Sequence, residues 1–384
     1  MITPVWGTYY IDRWLDMCFA SLRSDGNIPY LVEHCDFELA VVTTSASVAQ
    51  MQVSRKFNSA TAGVSVRFIT MDEFLPTEGE IAYGVPLTLA YAKAILDLGE
   101  IGIGSYVILM NADVVVASGS LVSLVARIQD GCGIIASSSI RAIDGGTQES
   151  LLSYIDRQTG ILAITPRTIM QLAEEHLHST VSGRIVNDQS PVESNYYHQI
   201  FWRISDDCIA MRALLLHPLC FRVDHLMKKV LCPVDYGFVT EICPNGRLCV
   251  LNDSDQYLML ELQARDSESH LLQISPRSRS LKRHLSRLAT AIGRQIATWS
   301  TPEHRRSARN TIYYHANELP LDLKERVKPF ESFVDRILDR LPPPVSHVGH
   351  FQWLPAVRIY REEMARAGSS ANISLLDDPR NASP

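Results

Sequence analysis

The sequence predicts an α/β protein: a doubly wound, mixed but mostly parallel sheet flanked by helices, with a helical C-terminal extension. Three observations carry this. Strand-like and helix-like stretches alternate from residue 37 to residue 137. Residues 106–110 (YVILM) are continuously apolar, as a strand covered on both faces must be. From Ser275 onward the pattern turns basic and helical.

Size and charge set limits. With 384 residues, 46% of them hydrophobic, the chain can bury one large core or two unequal ones. A formal net charge of -6 argues against a dedicated nucleic-acid binder, which carries a basic field. Capture of an anionic ligand then needs local positive charge or a metal ion. The N-terminus shows no basic segment followed by a long apolar stretch, so no secretory signal is expected. No apolar run reaches the roughly 18 to 20 residues of a membrane span. Eight scattered cysteines without a C-x-x-C pair read as buried free thiols in a reducing cytoplasm.

The elements follow in order. Ile11, Trp14, Leu15, Cys18, Phe19 and Leu22 share one helix face, and Asp25, Gly26 and Asn27 stop that helix. Residues 37–44 (FELAVVTT) and 64–69 (VSVRFI) read as strands around a helix at about 47–57. Leu87, Tyr91, Ala94, Ile95 and Leu98 form a second helical stripe, closed by Gly99. The strand 106–110 ends abruptly in Asn111, Ala112 and Asp113; a helix through Leu121, Leu124, Val125 and Ile128 and a strand at 133–136 come next. Residues 141–148 are polar and suit a lid loop. A strand is expected at 160–164, then a helix to about 177 with Thr165 as N-cap and Pro166 at its first position. Short strands at 212–216 and 246–251 lead into His217-Pro218 and Asn252-Asp253-Ser254-Asp255. A helix at 324–341 ends at three prolines, and the polar stretch 368–384 is expected to be disordered.

In a doubly wound sheet, ligands lie beyond the carboxyl ends of the strands. Asn111 and Asp113 stand at that place on the most apolar strand. A carboxylate there can hold a hard cation that bridges phosphates and offsets the charge of a departing diphosphate. Asn111 can hydrogen-bond a ribose or a metal-bound water. The plain alternative is that Asp113 caps a strand or turn. His217, fixed by Pro218, suits a late ligand for manganese or a donor to diphosphate oxygens; a hydrogen-bonded turn histidine is the alternative. Asp206 and Asp207 are a carboxylate pair that can include a general base, or a solvated acidic turn.

The stretches VWGTYYIDRWLDMCFASLRSDGNIP, SYVILMNADVVVASGSL and RALLLHPLCFRV together resemble bacterial glycosyltransferases of the GT-A type, over roughly residues 4–260. The resemblance implies a Rossmann-like GT-A fold, a nucleotide-diphosphate sugar as donor and a divalent cation, Mn or Mg. It implies a carbohydrate or lipid-linked acceptor, as in surface polysaccharide or glycolipid synthesis. Asp113 matches the final carboxylate of the family's D-x-D motif and His217 the late metal ligand; Asn111 stands where the first aspartate is usual. Residues 1–140 then form the nucleotide-sugar half, 141–272 the acceptor half of the same domain, 273–345 a helical region and 346–384 a tail. The location expected is the cytoplasm, with a peripheral contact at the inner membrane face through the basic helix 277–287.

Rivals remain. Asp253 and Asp255 are a literal D-x-D, and His315 is a competing late ligand. Tyr196, Tyr197, Phe201 and Trp202 can stack on sugars or fill the core. Asp235 to Phe238, near Glu241, can line an acceptor pocket or pack as a turn. Arg277, Arg279, Lys282, Arg283, His284 and Arg287 can meet a membrane or form a solvated helix face. A nucleotidyltransferase would want a glycine-rich basic loop after its first strand, where this chain has Thr43, Thr44, Ser45, Ala46 and Ser47. A dehydrogenase would want G-x-G-x-x-G. A third alternative is a binding or scaffold module in which Asn111 marks lost catalysis.

Overall fold

The computed structural model describes residues 1–76, 84–188, 190, 192–274, 280–344, 349–369 and 373–376. Its main sheet has seven strands: β1 (Ile2–Pro4), β2 (Glu38–Thr43), β3 (Ser65–Thr70), β4 (Tyr106–Ile108), β5 (Ile134–Ala136), β6 (Pro218–Arg222) and β7 (Leu248–Val250). β1, β2 and β3 pair in parallel. A parallel bridge between Ile2 and Leu109 joins β1 to the β4 chain, with the Met110 N–H donating to the Ile2 carbonyl at 3.0 Å. β6 runs antiparallel to both β4 and β5, and β5 is parallel to β7. The order is therefore β3-β2-β1-β4-β6-β5-β7, with β6 the reversed strand.

Helices cover both faces, which is why the strands read as unbroken apolar runs. On β2, Leu39 and Val41 pack with Trp14, Phe19, Leu121 and Leu124, while Ala40 and Val42 pack with Leu89, Tyr91 and Ile95. The crossover helices Ser45–Val53, Gly84–Asp97 and Ser120–Gln129 are those the periodicity predicts. Beside the sheet lie smaller ones, among them a two-stranded antiparallel pair of Val192–Ser194 with Leu272–Ile274 and two three-stranded sheets. In one, Met259–Gln263 pairs antiparallel with Val114–Val116 and parallel with Ile140–Ile143. In the other, Cys208–Ala213 lies between Gln199–Ser205 and Ile312–His315, all antiparallel.

Several expectations are corrected. Residues 141–148 are no lid: Arg141 lies in the strand Ile140–Ile143, and the helix Gly146–Leu152 follows. The stretch 160–164 makes only an isolated bridge, Ile155 to Leu162. The strand expected at 212–216 is the end of Cys208–Ala213, and His217 precedes β6 rather than closing a strand. β1 has three residues, too short to show an alternation. Not all cysteines are free: Cys132, just before β5, and Cys249, on β7, form a disulfide, and Cys35 is exposed.

The C-terminal helices Leu281–Ala297, Leu323–Asp339 and Gly349–Arg366 pack into the core that holds Ala40 and Val42. Of the basic run, Arg277 and Arg279 lie outside the described residues. His284 is buried, Arg287 is tied to Glu193 at 2.6 Å, and Lys282 and Arg283 are exposed. Phe201, Trp202 and Tyr197 are core residues, Trp202 stacking on Phe330 with ring centroids 5.8 Å apart. Residues 377–384 of the tail also lie outside the described residues. Ile373 and Leu376 are buried, and the Val230 N–H donates to the Leu375 carbonyl at 2.8 Å, so this part of the tail is docked. Among the described residues no helix is long and apolar enough to cross a membrane.

Candidate functional site

Because β6 runs against its neighbours, its amino end reaches the edge where β4 and β5 end. Asn111 follows β4, Ser137, Ser138 and Ser139 follow β5, and His217 precedes β6. All five line one cleft of about 560 Å³. A second wall comes from Arg141, Glu261, Gln263, Glu268 and Gln199, and a third from Trp353, Tyr360 and Glu363 on the C-terminal helix. A slightly larger hollow of about 630 Å³ lies between Asp72–Phe74 and Ile373, away from these strand ends; its Lys93 is held by Glu73 at 2.5 Å. The smaller cleft gathers the chemistry.

Its centre is a buried ion network. Arg141 donates through Nε to Glu261 at 3.0 Å and through Nη1 to Glu268 at 2.9 Å. The Ser139 hydroxyl donates to Glu261 at 3.0 Å, and the Gln263 amide donates to its other oxygen. Burial opposes both charges, yet Glu261 stays below the usual carboxylate range because Arg141 outweighs it, and Arg141 is raised by the two glutamates. Among the described lining residues, Arg141 is the cation set against Glu261, Glu268 and Glu363.

Asp113 lies two residues past Asn111 and does not itself line the cleft. Burial and then the charge of Glu261 push its carboxyl up to about 6, with Arg13 and Arg141 pulling the other way. Arg13 is itself bound to Asp144 at 2.6 Å. The Tyr91 hydroxyl donates to Asn111 Oδ1 at 2.8 Å and so orients that amide. His217 is lowered to about 4, by burial first and then by Arg141, so its ring is neutral at physiological pH. Its Nε2 is enclosed and has no hydrogen-bond partner.

The other candidates fall elsewhere. Asp206 and Asp207 form the hairpin turn between Gln199–Ser205 and Cys208–Ala213, and neither lines the cleft. Asp207 accepts from Ser205 at 2.6 Å and from Asn317 at 2.7 Å, which holds it below the usual range. Asp253, Asp255 and His315 do converge: their ligand atoms lie within 4.8 Å of one another, the one such group of three among the described residues. Cationic partners already occupy it. His315 sets Nε2 on Asp253 at 3.0 Å and Nδ1 on the Asn317 carbonyl at 2.6 Å, and Arg167 binds Asp255 at 2.8 Å and Glu318 at 2.7 Å. This is an ion-pair knot that pins the chain after β7 to the strand Ile312–His315. Glu241 is not on the cleft, and the side chains of Asp235 and Tyr236 lie outside the described residues.

Sequence reasoning missed Gln199, Glu261, Gln263 and Glu268 and placed Arg141 in a loop. One signal was present. In the strand Met259–Gln263, Leu260 and Leu262 are buried apolar residues, so Glu261 and Gln263 share the opposite face.

No family model and no curated protein matches the chain. Solved structures that show likeness include two transferases. A chain described as a glucose-1-phosphate thymidylyltransferase of Bacillus anthracis, in complex with sucrose, aligns at TM-score 0.22 and 14% identity. The match covers 38% of this chain and 56% of that one, so the chain spans little more than half its length. A mannosyltransferase of Pyrobaculum calidifontis, in complex with GDP-mannose and Mn2+, aligns at TM-score 0.31 and 12% identity, covering 97% of this chain and 76% of that one.

Proposed function

We propose that the chain is a GT-A-type glycosyltransferase that takes a nucleotide-diphosphate sugar and works with Mn2+ or Mg2+. One observation carries the reading: parallel strands β4 and β5 end at a cleft that holds Asn111 and Glu261, and Glu261 acts on the carboxyl of Asp113, two residues past Asn111. Carboxylates outnumber cations there, so a bare diphosphate is repelled. Two unit charges 5 Å apart at an effective dielectric of 20 repel by about 3 kcal/mol. A cation travelling on the phosphates reverses that sign.

The residues fit such an ion. Magnesium and manganese sites on phosphates use one or two carboxylates, the phosphate oxygens and water, without an all-protein cage. Asp113 is the carboxylate with capacity to spare, because Glu261 already accepts from Arg141, Ser139 and Gln263. The neutral His217 is available as a further ligand or hydrogen-bonding group. When bound, the cation offsets the charge that builds on the leaving diphosphate. The chain's own residues do the rest: Tyr91 orients Asn111, Arg141 keeps Glu261 and Glu268 ionised, and Trp353 and Tyr360 exclude water from one wall. Asp206 and Asp207 have no part in this reading. The acceptor is a carbohydrate or a lipid-linked sugar, and the setting is the cytoplasm, in surface polysaccharide or glycolipid synthesis.

Calorimetry with UDP- and GDP-linked sugars, with and without Mn2+, tests it. The expected result is donor binding that needs Mn2+, accompanied by slow hydrolysis. A second reading, a binding module without catalysis, is favoured by Asn111 at the first motif position. Metal-free binding without turnover would establish that one instead.

A further inference from the structure

Three cleft-lining side chains carry polar atoms with no hydrogen-bond partner: Gln199 Oε1, His217 Nε2 and Glu363 Oε2. Gln199 is 2% exposed and firmly held. Its amide nitrogen donates to the Ser138 hydroxyl at 2.6 Å, and the Ser138 carbonyl in turn accepts from the Tyr314 hydroxyl at 2.8 Å. Buried polar groups are nearly always satisfied, so an unsatisfied set on one cleft marks where a ligand supplies the missing partners.

The kind of atom left over decides the kind of ligand. The Gln199 and Glu363 oxygens can only accept hydrogen bonds. An ionised phosphate is also acceptor-only and satisfies none of them. A hydroxyl-rich ring brings several O–H donors at once, and Trp353 and Tyr360 on the same cleft add apolar surface beside them. We propose that Gln199 and Glu363 form a sugar-hydroxyl subsite, separate from the place of the diphosphate at Asn111 and Asp113. The proposal rests on the glycosyltransferase reading for its donor, but the subsite is argued from the unpartnered atoms alone.

The test compares four probes by calorimetry in the presence of Mn2+: UDP-glucose against UDP, and GDP-mannose against GDP. Methyl glucoside and methyl mannoside are then titrated at millimolar concentration. The variants are Gln199→Met, which removes the acceptor at similar size, and Gln199→Glu, which keeps it. At least one sugar-bearing nucleotide is expected to bind wild type about tenfold more tightly than its bare nucleotide. Gln199→Met erases that advantage while leaving bare-nucleotide affinity unchanged, and Gln199→Glu retains most of it. If nucleotides bind but the sugar adds nothing, or Gln199→Met keeps the advantage with an unchanged Tm, the subsite is overturned and the donor reading stands. If no nucleotide binds but a methyl glycoside does, in a Gln199-dependent way, the donor reading fails and the subsite stands. If no sugar-bearing probe binds wild type, both fall. Should Gln199→Met not fold, Glu363→Met, which likewise removes an acceptor, is read by the same comparison.

Discussion

Glu261 is the register partner of Val114, the residue after Asp113, and its charge adds to burial in holding the Asp113 carboxyl at about 6. Two carboxylates set near each other with one arginine favour the arrival of positive charge.

Asp113 has a folded-state pKa above its ordinary 3.8, so the folded chain holds that proton more tightly than the unfolded one. Its contribution to stability therefore declines as pH rises from about 4 to about 6, and the full cost of ionisation is present above that window. Cation binding runs the other way, because the ion needs the ionised carboxyl. Mn2+ affinity in the presence of a nucleoside diphosphate should fall by up to about tenfold per pH unit below about 6. Calorimetry from pH 5 to 7.5 checks this.

Asp113→Asn should abolish Mn2+-dependent donor binding. Removing a carboxylate that ionises reluctantly relieves the folded state by on the order of 1–3 kcal/mol at most. Tm at pH 7.5 should then hold or rise. A collapse in Tm would make Asp113 a structural cap.

Arg141→Met leaves Glu261 and Glu268 without their shared cation. Breaking a buried pair on one side costs about 3–5 kcal/mol. Denaturant titration should show a loss of that order, and adding Glu261→Gln should recover part of it.

The sheet was legible in the sequence because strands such as β2 and β4 are runs of apolar residues and the crossover helices Gly84–Asp97 and Ser120–Gln129 each show a stripe. Asn111 was legible as a cleft residue because the end of an apolar strand is a local signal; His217 also lines the cleft, but it precedes β6 instead of closing the strand expected at 212–216. The reversal of β6 was not legible: antiparallel pairing of β6 depends on neighbours more than 80 residues away in β5, and nothing local marks strand direction. That reversal brings His217 to the edge it shares with Asn111. The partners of Arg141 were hidden for the same reason, since Glu261 lies 120 residues along the chain. Asp206 and Asp207 drew attention as adjacent carboxylates, but a hairpin turn is also where such pairs sit when solvated.

The Asp253–His315 pair should act on stability alone. Asp253 is held down chiefly by its hydrogen bond to His315, so its contribution is lost as pH falls through its depressed value below 3.8. His315 is raised: burial opposes its charge, but Asp253 and the Asn317 carbonyl outweigh burial, so that contribution is lost as pH rises above 6.5. The pair is strongest between those limits. His315→Ala should lower Tm most near pH 5.5 and leave Mn2+-dependent donor affinity within about twofold.

With Cys132 and Cys249 joined, six of the eight cysteines remain as thiols. Thiol titration of the denatured, unreduced protein should count six. The bridge closes a long loop, and its reduction should lower stability by about 2–4 kcal/mol.

A crystal soaked with Mn2+ and a nucleoside diphosphate, measured for anomalous scattering from manganese, puts the cation on the map directly. The account predicts a peak about 2.2 Å from the Asp113 carboxylate, shared with the diphosphate oxygens in the cleft beside Asn111. A peak among Asp253, Asp255 and His315, or a nucleotide seated away from the ends of β4 and β5, would contradict it.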